Sequence, residues 1–283
     1  MAPSSKADSK DAEAERAARV VACRRKLHAA LARPSPATVL DSSCLGDAGA
    51  RALARAEGAR LMVRLHVSSN ELGLAGAREL ARVMQHARAL QHLSLSRNPI
   101  GAEGVRAIAA ALAPNESLRV LDVGSCGAGC EGAAALAAAL CQNASLVTLA
   151  MPDNGVGEAG ARALSEALET NRTLASLEFA SNKPAGDAGA RHYARAVSNG
   201  AALASLSLEA CDIGCDGAGA LADAVVAQAA TRDAGLTSLD LAANRIGVKG
   251  AARLADAIQS RGGVPACRMQ YNTTIRACRA PFS

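Results

Sequence analysis

The chain contains no tryptophan, and only two phenylalanines and two tyrosines among its 283 residues. Ordinary globular cores draw much of their bulk from aromatic rings. A core built almost wholly from leucine, valine and alanine has thin, regular layers, which predicts repetition rather than one irregular centre. Long apolar runs are absent as well. No uncharged stretch reaches the roughly 18 residues that a membrane helix needs, so no membrane association is expected. The opening MAPSSKADSKDAEAERAARVV lacks the continuous apolar stretch of a secretory signal. Nor does one sign of charge dominate: 31 Lys+Arg against 26 Asp+Glu leave a formal charge of +5. A nucleic-acid surface needs clustered bases with aromatic interleaving. Here the basic residues are dispersed, and no nucleic acid is expected as a partner.

What is present points to one large core or one repeat array, since half the residues are hydrophobic. The nine cysteines are odd in number and scattered. They fit reduced thiols in a cytosolic or nuclear protein better than a disulfide framework.

Self-similarity is plain. Asn70, Asn98, Cys126, Asn154, Asn182, Cys211, Asn244 and Asn272 recur at steps of 28 residues, apart from one step of 29 and one of 33. Before each anchor runs an L-x-x-L-x-L-x-x-N/C pattern, as in Leu90/Leu93/Leu95 and Leu118/Leu121/Val123. A degenerate earlier copy ends near Ser43. After most anchors come two glycines three residues apart, such as Gly101/Gly104 and Gly157/Gly160, then an Ala/Leu segment of helical period. Gly186/Gly189 is displaced by one, and the extra residues before Asn244 fall around 227–234.

The physics of each slot follows. The L-x-L positions alternate, so both apolar side chains point inward from a short strand. The anchor side chain can satisfy backbone groups where the chain leaves the strand. Cysteine, small and weakly donating, can stand in that slot. One repeat cannot bury its own apolar face, but stacked repeats can. The expected product is a parallel sheet lining the inner face of an arc, with helices outside.

Segments such as NESLRVLDVGSCGAGCEGAAALAAAL (115–140) and NRTLASLEFASNKPAGDAGARHYARAV (171–197) resemble the ribonuclease-inhibitor-like subfamily of leucine-rich repeats. The resemblance spans roughly residues 36–272. It implies an α/β leucine-rich-repeat solenoid, a horseshoe with its parallel sheet concave and its helices convex. Residues 1–10 read as a disordered terminus, 11–35 as a capping helix and 36–283 as a domain of about nine repeats.

Several motifs imitate chemistry. Gly127, Gly129 and Gly132 spell G-x-G-x-x-G, but Gly129 and Gly132 occupy repeat slots. Cys126/Cys130 and Cys211/Cys215 share identical slots three repeats apart. At about 4.8 Å per strand that is on the order of 14 Å, too far for one zinc. Buried structural thiols are expected, with no metal and no cofactor. Asn115, Asn143 and Asn171 open formal glycosylation sequons at the helix-to-strand turn, where asparagine reads as a helix stop tolerant of left-handed geometry. Asp47/Arg51, Glu103/Arg106, Glu158/Arg162 and Asp187/Arg191 read as ion pairs along solvated outer helices.

The concave face is the candidate site. Arg64, His66, His92, Arg97 and Arg119 come from early strands, Asp122, Asp153, Glu178, Glu209 and Asp240 from middle and late ones, and Arg268 and Tyr271 from the last. The arc therefore reads basic, then acidic, then mixed. Acids on different strands cannot share a proton or a metal, but they suit a long contact with a basic protein surface. No catalytic constellation accompanies them. The expected function is a non-catalytic scaffold binding a partner protein through this face. The alternative is a GTPase activator, because the Ran GTPase-activating protein shares the repeat type. That family typically ends in a long acidic tail, whereas this chain ends in RACRAPFS.

Overall fold

The structure is a computed structural model describing residues 21, 22, 25, 29, 37–231, 235–260 and 266–272. The expected disordered terminus and capping helix lie outside it, apart from Val21, Ala22, Arg25 and Ala29, which are helical and exposed.

Nine three-residue strands form one parallel sheet in sequence order. They are β1 (Ala37–Val39), β2 (Arg64–His66), β3 (His92–Ser94), β4 (Val120–Asp122), β5 (Thr148–Ala150), β6 (Ser176–Glu178), β7 (Ser205–Ser207), β8 (Ser238–Asp240) and β9 (Ala266–Arg268). The helices between them are α1 (Gly46–Arg55), α2 (Leu74–His86), α3 (Gly101–Leu112), α4 (Gly129–Leu140), α5 (Glu158–Thr170), α6 (Gly186–Ser198), α7 (Cys215–Thr231) and α8 (Val248–Ser260). This is the α/β leucine-rich-repeat solenoid. Repeat n is the one that carries βn.

The middle residues of the strands pair in one row, from Thr38 and Leu65 to Leu239 and Cys267. The leucines of that row are buried and meet the helices. The residues on either side of them face away from the helices, because side chains alternate along a strand.

The anchors hold successive repeats together. Asn154 Oδ1 accepts the N–H groups of Cys126 (3.1 Å) and Ala128 (3.0 Å), one repeat back. Its Nδ2 donates to the carbonyls of Val123, Met151 and Pro152, each at 3.0 Å. Asn70, Asn98, Asn182 and Asn244 repeat this double acceptance. In the cysteine slots the thiol donates, Cys126 to Leu95 O or Gly124 O and Cys211 to Phe179 O or Glu209 O, and the sulfur accepts from the backbone of the preceding anchor, Asn98 or Asn182. Burial pushes both thiols up to about 12. The residue before every anchor takes positive φ without being glycine, from Ser42 (51°) to Tyr271 (62°).

A second asparagine row accounts for the sequons. Asn143 Nδ2 donates to Leu112 O and Asn115 O, while its Oδ1 accepts from Ser145 N and Leu146 N. Asn171 does the same one repeat on. Here the structure corrects the sequence reading. Asn171 has φ −70° and ψ 132°, and none of Asn115, Asn143 and Asn171 is left-handed. Asparagine is there to bridge repeats through its amide. In α7, lengthened to 17 residues, Gln228 takes the role by accepting from Leu236 N at 2.8 Å.

The helices pack closely because of the second glycine in each repeat. A Cβ on Gly160 would lie 3.0 Å from Ala133 Cβ and 3.2 Å from Cys130 Cα. The one-residue insertion before Gly186 is absorbed by a short 3-10 turn over Lys183–Ala185.

The expected helical ion pairs need correction. Glu103–Arg106 forms at 2.8 Å. Arg51 instead reaches Glu79 of the next helix, and Glu158 meets His192. Asp47 and Asp187 turn away from their own helices. Asp47 Oδ1 accepts Gly73 N and Gly76 N, and Asp187 Oδ1 accepts Gly214 N and Gly217 N. Each carboxylate therefore caps the exposed N–H groups of the following helix.

Candidate partner-binding face

The register arranges the concave residues in rows. Arg64 and His92 are direct partners on β2 and β3. His66 (β2), Asp122 (β4), Glu178 (β6), Asp240 (β8) and Arg268 (β9) fall in a second row, with Ser94, Ala150 and Ser207 on the strands between. Alternate strands lie about 10 Å apart. Asp122, Glu178 and Asp240 are thus evenly spaced and separate. Glu209 lies two residues beyond the end of β7, after Leu208. Arg97, Asp153 and Tyr271 are left-handed turn residues at the sheet edge, with φ 56°, 53° and 62°. Arg119 precedes β4 and donates to Ser145 O at 2.9 Å. The twelve residues are spread over several rows, and Arg119 stands apart from them at the turn before β4.

Their engagement differs sharply. Asp122 accepts from Ser94 Oγ (2.7 Å) and from Gly124 N (2.9 Å). Asp153 accepts from Ser125 Oγ at 2.9 Å. Asp240 accepts from Ala242 N and pairs with Arg268 at 3.5 Å. Glu178 and Glu209 are exposed, and their carboxylates have no partner among the described residues. Arg64 and Arg97 are equally bare. His92 is held below the usual imidazole range, first by burial and then by Arg64 and His66. The shift favours its uncharged form. Tyr271 is 84% exposed, the largest exposed aromatic surface described.

Sequence reasoning missed a hydroxyl chain. Ser96 Oγ reaches Ser68 Oγ (3.1 Å), Ser68 Oγ meets Ser94 Oγ (2.9 Å), and Ser94 runs on to Asp122. Asp41 caps its start by accepting from Ser68 N at 2.7 Å. The recurring serines of VSSN and LSLSRN were the available signal. These small side chains leave an open depression of about 700 Å³, lined by Ser68, Ser96, Asp122, Gly124, Ala150 and Pro152 among others. Among the described residues no group of three His, Cys, Asp or Glu could hold a metal ion. No described helix is long and apolar enough to cross a membrane.

A family model for the leucine-rich repeat matches residues 59–81, 86–109, 115–137 and 236–255. No curated protein matches the chain. Among solved structures, the leiomodin-1 actin-binding site 2 is similar at 24% identity and TM-score 0.37, over 38% of this chain and 62% of that one. A chain of the Rad7 and Elc1 complex in yeast aligns at 12% identity and TM-score 0.32, over 73% and 69% of the two chains. An internalin (inlF) from Listeria monocytogenes aligns at 13% identity and TM-score 0.26, over 69% and 72%.

Proposed function

We propose that this array of leucine-rich repeats is a non-catalytic scaffold that binds a partner protein through its concave face, its middle strands taking a basic surface. The observation that carries the reading is one carboxylate per repeat over five successive repeats: Asp122, Asp153, Glu178, Glu209 and Asp240. The strand spacing keeps these groups from acting on one proton or one metal, and it spreads them along a contact surface instead. The near absence of aromatic anchors favours a charge-guided contact over a very tight one. Such a contact weakens with salt. A cytosolic or nuclear setting fits the unpaired thiols.

The test uses Glu178→Lys with Glu209→Lys, because neither carboxylate supports the fold. Reversing Asp240 would also remove the acceptor of Ala242 N. The wild-type chain, the double variant and a convex control, Glu103→Lys with Glu131→Lys, are used as affinity baits with quantitative mass spectrometry. Partners recovered by the wild type and the convex control should be lost from the concave variant. Equal recovery by all three would refute the concave reading.

A further inference from the structure

Two early strands bring three basic side chains to one point. Arg64 and His92 are direct partners across β2 and β3, about 4.8 Å apart by strand spacing. His66 stands two residues beyond Arg64 on β2, about 6.6 Å along the strand. All three project from the face that the strand leucines do not use. No side-chain hydrogen bond or ion pair engages Arg64, His66 or His92 among the described residues. Like charges placed directly opposite on neighbouring strands are destabilising, so the cluster gains by taking an anion.

Its neighbours bring no acid that is free to serve as that anion. On β1 the matching residues are Ala37 and Val39, and Asp41 beyond them accepts Ser68 N. On β4 they are Val120 and Asp122, and Asp122 is held by Ser94 Oγ and Gly124 N. The acids between β2 and β3 stand off the strand face. Glu71 follows the anchor Asn70, and Glu79, on α2, pairs with Arg51 and Arg82. Arg97, in the turn after β3, adds positive charge, and Arg119, before β4, is spent on Ser145 O.

We propose that Arg64, His66 and His92 form a seat for one phosphoryl group, carried by a phosphorylated side chain of the partner protein. A cluster this compact suits a single multiply charged group better than a run of carboxylates. A phosphorylated residue brings close to two negative charges and three strong acceptor oxygens to one point, and a guanidinium matches those oxygens bidentately. Nucleic acid fits poorly, because the repeats that follow bring Asp122, Asp153 and Glu178, which repel a polyphosphate backbone.

The inference rests on the concave-face reading and adds a second feature to the partner. Three strand spacings separate His92 on β3 from Glu178 on β6, on the order of 14 Å. The partner's phosphoryl group and its basic surface should be about that far apart. A bound anion favours the protonated imidazole, so it opposes the effect of burial, Arg64 and His66 on His92.

The test titrates the full chain with the peptide Gly-Ala-Ser-Ala-Gly in three forms: phosphorylated on serine, unphosphorylated, and with glutamate in place of serine. Imidazole NMR signals follow the binding. The phosphopeptide should bind on the order of tenfold tighter than either counterpart, and it should move the His92 titration to higher pH. Arg64→Gln, at an exposed position outside the core, should lose that advantage. Glu178→Lys with Glu209→Lys should keep it. Partner capture lost from that double variant and phosphopeptide binding lost from Arg64→Gln are therefore separate results, and either reading can fail without the other. No phosphoryl-dependent shift of His92 up to about 10 mM peptide, equal binding of the phosphoserine and glutamate forms, or unchanged binding by Arg64→Gln would each overturn the inference. Tighter binding of a single-stranded DNA pentanucleotide than of the phosphopeptide would overturn it as well.

Discussion

Replacing Asn154 by alanine removes five hydrogen bonds at a site that is 4% exposed. The carbonyls of Val123, Met151 and Pro152 lose a donor, and a carbonyl oxygen tolerates partial satisfaction. The N–H groups of Cys126 and Ala128 lose their acceptor and have no second one. Each stranded buried donor costs about 1–3 kcal/mol, so the expected loss from the two is about 2–6 kcal/mol. With a urea m-value of about 3 kcal/mol per molar, the unfolding midpoint should fall by about 1 M. The chain has no tryptophan, so circular dichroism of the helices is the appropriate probe. Asn154→Cys is an informative companion, because it copies the natural residue at Cys126. Its thiol returns one donor to the carbonyls and its sulfur offers a weak acceptor, as Cys126 does to Asn98 N–H, so its midpoint should lie above that of the alanine variant and below that of the wild type. A midpoint shift below about 0.3 M for Asn154→Ala would refute the view that the anchor row holds the repeats together.

Two further outcomes follow from buried groups. Tyr193→Phe removes a hydroxyl that has no partner while keeping the edge-to-face contact with Phe179, whose ring centroid is 5.3 Å away. It should leave stability unchanged or raise it by up to about 1 kcal/mol, read as an equal or higher melting temperature; a clear fall would show that the hydroxyl is satisfied. Cys126 and Cys211 titrate at about 12 when folded, above the ordinary thiol value of 9.0. The folded state holds those protons more tightly, so their stabilisation is complete below pH 9 and is lost as pH rises towards about 12. Urea midpoints measured across that window should fall, and Cys126→Ser with Cys211→Ser should flatten the slope; an unaltered slope would contradict the assignment.

The sheet was legible because its register is written into side chains. A step of 28 residues between Asn70, Asn98, Cys126, Asn154 and Asn182 places each anchor beside the last. Strand parity then indicated which strand residues face away from the helices. Parity could not say how each polar group is spent. Asp47 and Arg51 are one helical turn apart, and sequence proximity favoured their pairing. The carboxylate instead meets N–H groups 26 and 29 residues away, because the next helix presents its uncapped end there. Asn143 was read through its backbone conformation, whereas its amide contacts a carbonyl 31 residues back. Both errors have one origin: in a stacked array, spatial neighbours are one repeat apart in sequence, and local rules miss them.

The same point narrows the candidate face. Residue types that commonly announce chemistry are mostly consumed by the scaffold here. The sequon asparagines bridge turns, Cys126 and Cys211 bond to strand carbonyls, Asp47 and Asp187 cap helices, and Asp122 closes a chain of serine hydroxyls. A side chain already satisfied within the fold has to break a bond to serve a partner, and that cost works against affinity. Glu178, Glu209, Arg64, Arg97 and Tyr271 carry no such debt. They lie along an arc whose packing does not depend on them, so their side chains can change without unmaking the fold. The partner's chemistry should therefore be read from these five residues before any of the more conspicuous motifs.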